Sequence, residues 1–435
     1  MSLWKRIGQT MMLSAQAHAR WELDVSNAIL RDRKKLALLG LLLVPVVIGG
    51  IAFAGDVAGA LPSFLGDKKT AYTPAFYTAT IFLASIGVGV CAGLITGCIG
   101  AGGGFIIAPA LMSAGVKGIL AVGTDLFHIF AKAIMGSVLH RKLGNISVSL
   151  AVTFLVGSMG GATLGGYINR TLYEFNPVYS DAFITTIYVL MLGFLGFYAL
   201  TDFLASRKAA AKQAAAGNVK AAEGMTGLAR KLQAVNIPPM LTFDEGVVPG
   251  GRRISTIFLV IAGFVVGLAA AIMGVGGGFL TFPIFVYVLG VSSATTVGTD
   301  IFQIIFTAGY AGLVQYAVYG FIFYTLAMGM LLGSLVGIQI GSLVTKVVPG
   351  LTIRGFYATA VLSGFVNRVF ALPGKLRKMQ VLNIEKATCE TLEQIGIYLF
   401  FIVISCFAVW VFVTFFTKIK VLKGEQETVH GGVRA

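Results

Sequence analysis

Gly100-Ala101-Gly102-Gly103-Gly104-Phe105 and, 174 residues on, Gly274-Val275-Gly276-Gly277-Gly278-Phe279 interrupt two long apolar runs with one pattern. Each is followed by a matching triplet, Gly123-Thr124-Asp125 and Gly298-Thr299-Asp300, here 175 residues apart. A third landmark, Gly157-Ser158 with Gly161 and Gly165, matches Gly333-Ser334 with Gly337 and Gly341 at a spacing of 176. An offset this steady marks an internal duplication. In hydrocarbon an unpaired peptide group costs several kcal/mol, so irregular backbone persists only beside a protein-lined cavity. Duplicated broken segments are the sequence signature of a transporter's binding site.

Composition sets the solvent. The chain has 435 residues, 57% hydrophobic and 12% charged, with a mean hydropathy of +0.86. A soluble domain carries about 25% charged residues, and about ten apolar stretches are too many to bury in one core. The reading is an all-α integral membrane protein with an inverted-topology internal repeat and two glycine-broken re-entrant helix pairs. The net charge of +15 sits at the ends of apolar runs: Arg31 to Lys35, Arg141-Lys142, Arg207-Lys208, Arg252-Arg253 and Lys418 to Lys423. That is the pattern of cytoplasmic loops and anionic lipid, and it argues against nucleic acid. The partners expected are a small anionic substrate and the lipid bilayer, and a homodimer is an admissible assembly. The four cysteines, Cys91, Cys98, Cys389 and Cys406, have no metal spacing and read as small apolar side chains. A thiol role for Cys98, inside the first apolar run at its glycine break, is the alternative.

Parity constrains the topology. Residues 1–35 form a cytoplasmic or interfacial segment, with Trp4, Ile7, Met11 and Ala15 on one helical face, and 36–54 is an extra transmembrane helix. With Arg31 to Lys35 inside, 56–75 lies outside. The loop His140 to Asn145 and the basic stretch 205–253 belong inside. Spans at 118–139, 147–168 and 182–204 satisfy both, so 76–115 must start and finish outside: a helix over 76–97, a turn at the glycines, and a short returning helix over 105–114. The first repeat thus covers 76–204. The second repeat, 254–372, starts inside with a broken segment over 254–289 and spans at 296–316, 321–345 and 353–372. The last of these carries Arg354, Asn367 and Arg368 and is the weakest expectation. A final helix at 395–417 leaves both termini cytoplasmic. The linker 205–253 divides into a helical Ala- and Lys-rich part (Ala209 to Ala216) and an irregular part holding Pro238, Pro239 and Pro249. It reads as a connection between halves, with a regulatory arm as the alternative.

Two patterns point to chemistry. The residues after each glycine run open a short helix, whose free N–H groups and positive dipole end favour an anion. Gly102, Gly103, Gly104, Gly276, Gly277 and Gly278 are therefore candidate substrate-binding positions, whereas Gly89, Gly93 and Gly97 read as a helix-packing stripe. Asp125, His128 and Lys132 share one helical face, and their counterparts are Asp300, Gln303 and Thr307. Ionisable groups at membrane depth face a cavity or pair with each other. Thr124, Thr299 and Lys132 are candidates for holding substrate, and Asp125, Asp300 and His128 for proton coupling or charge pairing. Helix capping by the two Asp is an equal alternative, and a structural hydrogen bond is the alternative for His128.

These residues resemble the sulfite exporter TauE/SafE family of membrane anion permeases. The resemblance rests on the duplicated Gly-x-Gly-Gly-Gly-Phe, the following Pro109 and Pro283, and the Gly-Thr turn opening the next helix, over about 76–204 and 254–372. It implies a bacterial inner-membrane carrier for small sulfur-containing or carboxylate anions, with no metal or organic cofactor. Members usually carry Ser where Asp125 and Asp300 stand. A passive anion channel, a sensor with 205–253 as its output arm, and a membrane enzyme are the competing classes. The last finds no nucleophile–base or metal constellation, since His18, His128, His140 and His430 are dispersed.

Overall fold

Glycine at every fourth position leaves a groove along an apolar helix into which another backbone can press. Two such seams organise this protein. The computed structural model describes residues 79–99, 104–142, 147–216, 227–244, 251–345, 347–348 and 350–418; all lie in one structural unit, Ala54–Lys418. The expectations for 1–35, 36–54, Gly102 and Gly103 fall outside the described residues.

The first half runs α1 (Ala79–Ile99), α2 (Gly104–Ser113), α3 (Gly118–Lys142), α4 (Val148–Phe175) and α5 (Pro177–Ala216). The connecting insert holds α6 (Gly227–Ala234) and the strands β1 (Met240–Phe243) and β2 (Arg252–Ser255). The second half runs α7 (Thr256–Met273), α8 (Gly278–Pro283) continuing as a π-helical stretch to Leu289, and α9 (Ser293–Tyr310) continuing through π and 3-10 turns to Tyr319. Then come α10 (Tyr324–Val344), α11 (Gly350–Lys378) and α12 (Lys386–Thr417). Among the described residues, seven helices are long and apolar enough to cross a membrane. Their outward faces carry Val156, Phe194, Phe197, Ile261, Val409 and Phe416, all exposed, the reverse of a water-facing helix. The protein is an all-α integral membrane protein.

In the first seam, Gly89, Gly93 and Gly97 of α1 lie against Met330, Ser334 and Ile338 of α10. In the second, Gly157, Gly161 and Gly165 of α4 lie against Val260, Phe264 and Leu268 of α7. Numbers rise together in both, so each pair runs parallel. Two further pairs run antiparallel. Gly309 and Gly312 of α9 meet Phe130 and Leu126 of α3, and Gly193 and Gly196 of α5 meet Phe365 and Leu362 of α11. α3 and α9 are counterparts in the duplication, as are α5 and α11. Each seam likewise joins the first helix of one half to the fourth of the other. The halves therefore interlock reciprocally.

One expectation needs correction, and the weakest one holds. The second part of the insert is not wholly irregular among its described residues. β1 and β2 pair antiparallel with Met240 opposite Ser255 and Phe243 opposite Arg252. The hairpin docks on the turn that precedes α9: the carboxylate of Asp244 accepts from the backbone N and the hydroxyl of Ser292, each at 2.8 Å. Gln233 Nε2 donates to the Leu289 carbonyl at 2.8 Å, and Arg252 donates to the Gly290 carbonyl. Phe243 and Ile254 are buried against Leu150, Phe154, Leu289 and Val291, which supplies the apolar face that so short a hairpin lacks by itself. The weak span over 353–372 is in fact the middle of α11, 29 residues long. Its Arg368 is 2% exposed. Its guanidinium donates to Asn367 Oδ1, to Ser113 Oγ at 2.7 Å and to the Pro109 carbonyl at 3.3 Å. A cation inside a span is tolerated when it faces protein and is hydrogen-bonded, here at the C-terminal turn of α2.

The docked hairpin gives a first expected result. Asp244→Ala removes two hydrogen bonds to a charged group, each worth about 1.5–3 kcal/mol, discounted here because the site is only part-buried. The variant should be cut by trypsin after Arg252 and Arg253 severalfold faster than the parent, with α7 still folded by circular dichroism. Equal cutting rates would mean that the hairpin is held by its apolar contacts alone.

Candidate functional site

The second glycine break is built by backbone that only glycine adopts at ease. Gly274, Gly276 and Gly277 have φ of 77°, 68° and 88°, the left-handed region that a Cβ disfavours. Gly274 ends α7 by returning its N–H to the Ala270 carbonyl, and α8 then begins at Gly278. The break leaves the last carbonyls of α7 without helical partners, and side chains from three elements supply donors. Tyr316 donates to the Ala271 carbonyl at 2.5 Å, Asn169 Nδ2 to Ile272 at 3.1 Å, and Tyr188 to Met273. All three side chains are fully buried.

The head of α2, which follows the first break, approaches the second. A Cβ on Gly104, at the head of α2, would stand 3.0 Å from the Cα of Val275 in the other break. A Cβ on Gly274 would stand 2.6 Å from the Cα of Val122, one residue before the first Gly-Thr-Asp triplet. Around this meeting point lie the buried polar residues of α3 and α9: Thr124, Asp125, His128 and Lys132, and Thr299, Asp300, Gln303 and Thr307.

Asp125 lies seven residues beyond Gly118 and Asp300 seven beyond Ser293, so neither caps its own helix. The capping alternative is thereby removed, and α9 is capped by Ser292. The Asp300 carboxylate instead faces the head of α8, where a Cβ on Gly278 would lie 3.1 Å from its Oδ2. That is where a helix N-terminus favours negative charge. Thr124 and Thr299 have a shared structural employment. Thr124 Oγ1 accepts the backbone N–H of Phe323, just before α10, and Thr299 Oγ1 accepts that of Ser147, just before α4, both at 3.0 Å.

From each Asp a polar ladder crosses into the other half. In α9, Gln303 Nε2 donates to Asp300 Oδ1 at 2.9 Å and Thr307 donates to Gln303 Oε1 at 2.7 Å. Thr307 Oγ1 also lies 2.9 Å from Ser158 Oγ of α4. In α3, His128 Nδ1 faces Asp125 Oδ1 at 3.6 Å, and His128 Nε2 lies 2.8 Å from Ser334 Oγ of α10. Lys132, one turn further, donates to Thr96 Oγ1 of α1 at 3.3 Å. Ser158 and Ser334 are counterparts. The sequence displayed both as landmarks of the duplication but did not disclose that they receive the ladders. Asn169, Tyr188 and Tyr316 were missed altogether; a polar side chain within an apolar run was the only available signal.

Cys98 is buried and its Sγ donates to the Gly341 carbonyl at 3.4 Å, inside the first seam. Cys406 is exposed on α12, so it is not the buried apolar group expected of it.

Comparison with known proteins identifies the scaffold. A sequence model of the family "Sulfite exporter TauE/SafE" matches residues 85–367, well over half of the chain. The chain is 26% identical over 264 residues to "Probable membrane transporter protein YjnA" of Bacillus subtilis (strain 168), covering 59% of this chain and 87% of that protein. It is 23% identical over 273 residues to "Probable membrane transporter protein YunE" of the same organism, covering 61% and 89%. It is also 32% identical over 119 residues to "Sulfite exporter TauE/SafE family protein 6" of Arabidopsis thaliana, covering 26% and 28%. No solved structure matches the chain. The match runs from within α1 into α11 and takes in both breaks and both ladders, so this chain belongs to the sulfite exporter TauE/SafE family of membrane transporters.

Proposed function

We propose that the protein is a secondary carrier of a small sulfur-containing anion, such as sulfite or a sulfonate, working by alternating access in a bacterial inner membrane. The observation that carries this reading is the meeting of the head of α2 with the second break inside crossed polar ladders. Buried ionisable groups at membrane depth mark a substrate or ion pathway. Two short helices that open at the breaks, each head equivalent to about half a positive charge, supply the attraction, with Lys132 as the fixed cation. Backbone amides at Gly102, Gly103, Gly104, Gly276, Gly277 and Gly278 would hold the anion. In this reading Thr124 and Thr299 shape the site by pinning the heads of α10 and α4, and add a hydroxyl where that bond opens.

Antiparallel pairing of counterpart helices, α3 with α9 and α5 with α11, is what two repeats of opposite membrane orientation give when they interlock. Exchange of conformation between such repeats turns the site from one face to the other. Proton coupling through Asp125, Asp300 or His128 belongs to the same proposal.

Uptake into proteoliposomes tests the substrate class, with labelled sulfite, sulfate, isethionate, sulfoacetate and acetate compared at equal concentration. Sulfur oxyanions or sulfonates should enter at least about tenfold faster than acetate. Preference for acetate would replace the sulfur-anion reading with a carboxylate carrier.

A further inference from the structure

The two ladders are alike in position but not in their protons. Ser334 Oγ donates its one hydrogen to the Gly89 carbonyl at 3.1 Å, since a carbonyl only accepts. In the tautomer in which that bond stands, His128 Nε2, 2.8 Å from the same oxygen, is the donor. A neutral imidazole carries one N–H, so its Nδ1 is bare and points at Asp125 Oδ1 3.6 Å away. By strict geometry His128 Nδ1 and both carboxylate oxygens of Asp125 are buried without another hydrogen-bond partner among the described residues, with the backbone N–H of Ala108 approaching the carboxylate. Two bare acceptors face each other at a separation too long for a hydrogen bond. One added proton turns the contact into a bond, as O–H···N or O⁻···H–N⁺, which have the same composition.

The second half solves the same problem with a fixed hydrogen. Gln303, the counterpart of His128, donates an amide N–H to Asp300 Oδ1 at 2.9 Å. Among the described residues, no fully buried side-chain polar atom of Asp300, Gln303, Thr307 or Ser158 is without a partner. An amide N–H is a donor that does not dissociate near neutral pH, so the bond between Gln303 and Asp300 needs no added proton.

Charge balance links the proton to the anion. Asp125, His128 and Lys132 lie on one face of α3, and all three side chains are buried. Without the extra proton, Asp125 neutralises Lys132 and an entering anion leaves net charge −1 in a buried site. With it, the face carries +1 and a monoanion makes it neutral. Uncompensated buried charge costs several kcal/mol, and binding linkage is reciprocal. Other titratable groups on the surrounding elements do not change the count. Tyr188 of α5 commits its hydrogen to Met273 and Tyr316 of the π turn commits its own to Ala271. Tyr324 of α10 stacks edge-on with Phe127, and Asp300, bonded by Gln303, and Arg368 of α11, held by Asn367 and Ser113, carry opposite formal charges that cancel in the sum.

We infer that Asp125 and His128 together form a binding site for one proton, filled when a monoanion binds, which makes the protein a proton–anion symporter with its single coupling proton in the first half. This rests on the carrier reading above and assigns the coupling group within it. The proton is taken from the aqueous face to which the site is open, held between Asp125 Oδ1 and His128 Nδ1, and released with the anion on the other face.

Asp125→Asn tests it, because the Asn amide permanently donates to Nδ1 what the proton donates. The probe is labelled isethionate, which stays a monoanion between pH 6 and 8, with labelled sulfite run in parallel. Wild-type vesicles should accumulate isethionate about tenfold per pH unit of inside-alkaline gradient for one proton per anion. Asp125→Asn should lose the accumulation, and His128→Gln should lose it too. Accumulation that survives in folded Asp125→Asn overturns the inference. Histidine 15N spectra, with His128 assigned by its absence in His128→Gln, read the same pair without transport. The His128 Nδ1 signal should respond to pH in the wild type and not in Asp125→Asn; identical behaviour in both sinks the shared proton. Wild-type vesicles that exchange no anion would contradict the carrier reading itself, a different outcome from a carrier that exchanges without a gradient effect.

Discussion

Gly161→Val should yield almost no folded, monodisperse protein, while Gly87→Val behaves like the wild type. The two residues sit in apolar helices of the same kind, so hydropathy does not separate them. A Cβ on Gly161 would stand 2.7 Å from the backbone N of Leu268 and closer still to the carbonyl of Phe264, whereas a Cβ on Gly87 meets nothing within 4 Å. Overpacking ordinarily costs about 1–3 kcal/mol and occasionally more. Here the obstruction is backbone on both sides, which cannot rotate away, so the cost belongs at the upper end. The same holds across the other seam at Gly337, opposite Leu94. Because each seam joins one half to the other, its failure separates the repeats rather than loosening one helix. Size-exclusion profiles in detergent measure this; normal profiles for Gly161→Val and Gly337→Val would mean that the halves do not bind through their glycine grooves.

Lys132→Met should cut anion uptake by roughly ten- to hundredfold, the equivalent of losing one charge-assisted hydrogen bond of about 1.5–3 kcal/mol. Met keeps the apolar stem and removes only the charge, so the volume of the site is nearly preserved. A purely structural Lys132 predicts something else. If its task were to neutralise Asp125, then Lys132→Met would fail because a buried carboxylate is left alone, and the double variant with Asp125→Asn would recover. If Lys132 attracts the substrate, the double variant folds and still does not carry anion. Recovery of uptake in the double variant would remove Lys132 from the substrate's path.

The legible parts of this fold were those encoded locally. Three consecutive glycines in an apolar run announce a broken helix because no other residue populates positive φ so freely, and Gly274, Gly276 and Gly277 take that conformation. The stripe at Gly89, Gly93 and Gly97 announced a packing groove, and each of the three meets α10 backbone. What needed a partner from far away was illegible. Asn169 and Tyr316 close the open end of α7 from 102 and 45 residues away. Ser334 completes a ladder begun 206 residues earlier at His128. The exchange of His128 for Gln303 was readable as an asymmetry beside Asp125 and Asp300, but not the partners Ser334 and Ser158 that complete the two ladders. The β1–β2 hairpin was hidden by its brevity and its prolines; four-residue strands carry little alternation, and this pair is ordered by docking on Leu289 to Ser292.

Counterflow bears most directly on the carrier reading: entry of labelled sulfite into proteoliposomes loaded with unlabelled sulfite, with no pH difference and no voltage. The account predicts saturable entry that internal sulfite accelerates severalfold, because a loaded site returns faster than an empty one. Entry that rises linearly with concentration and ignores internal sulfite, in protein shown to be folded, would contradict a site that opens to one face at a time.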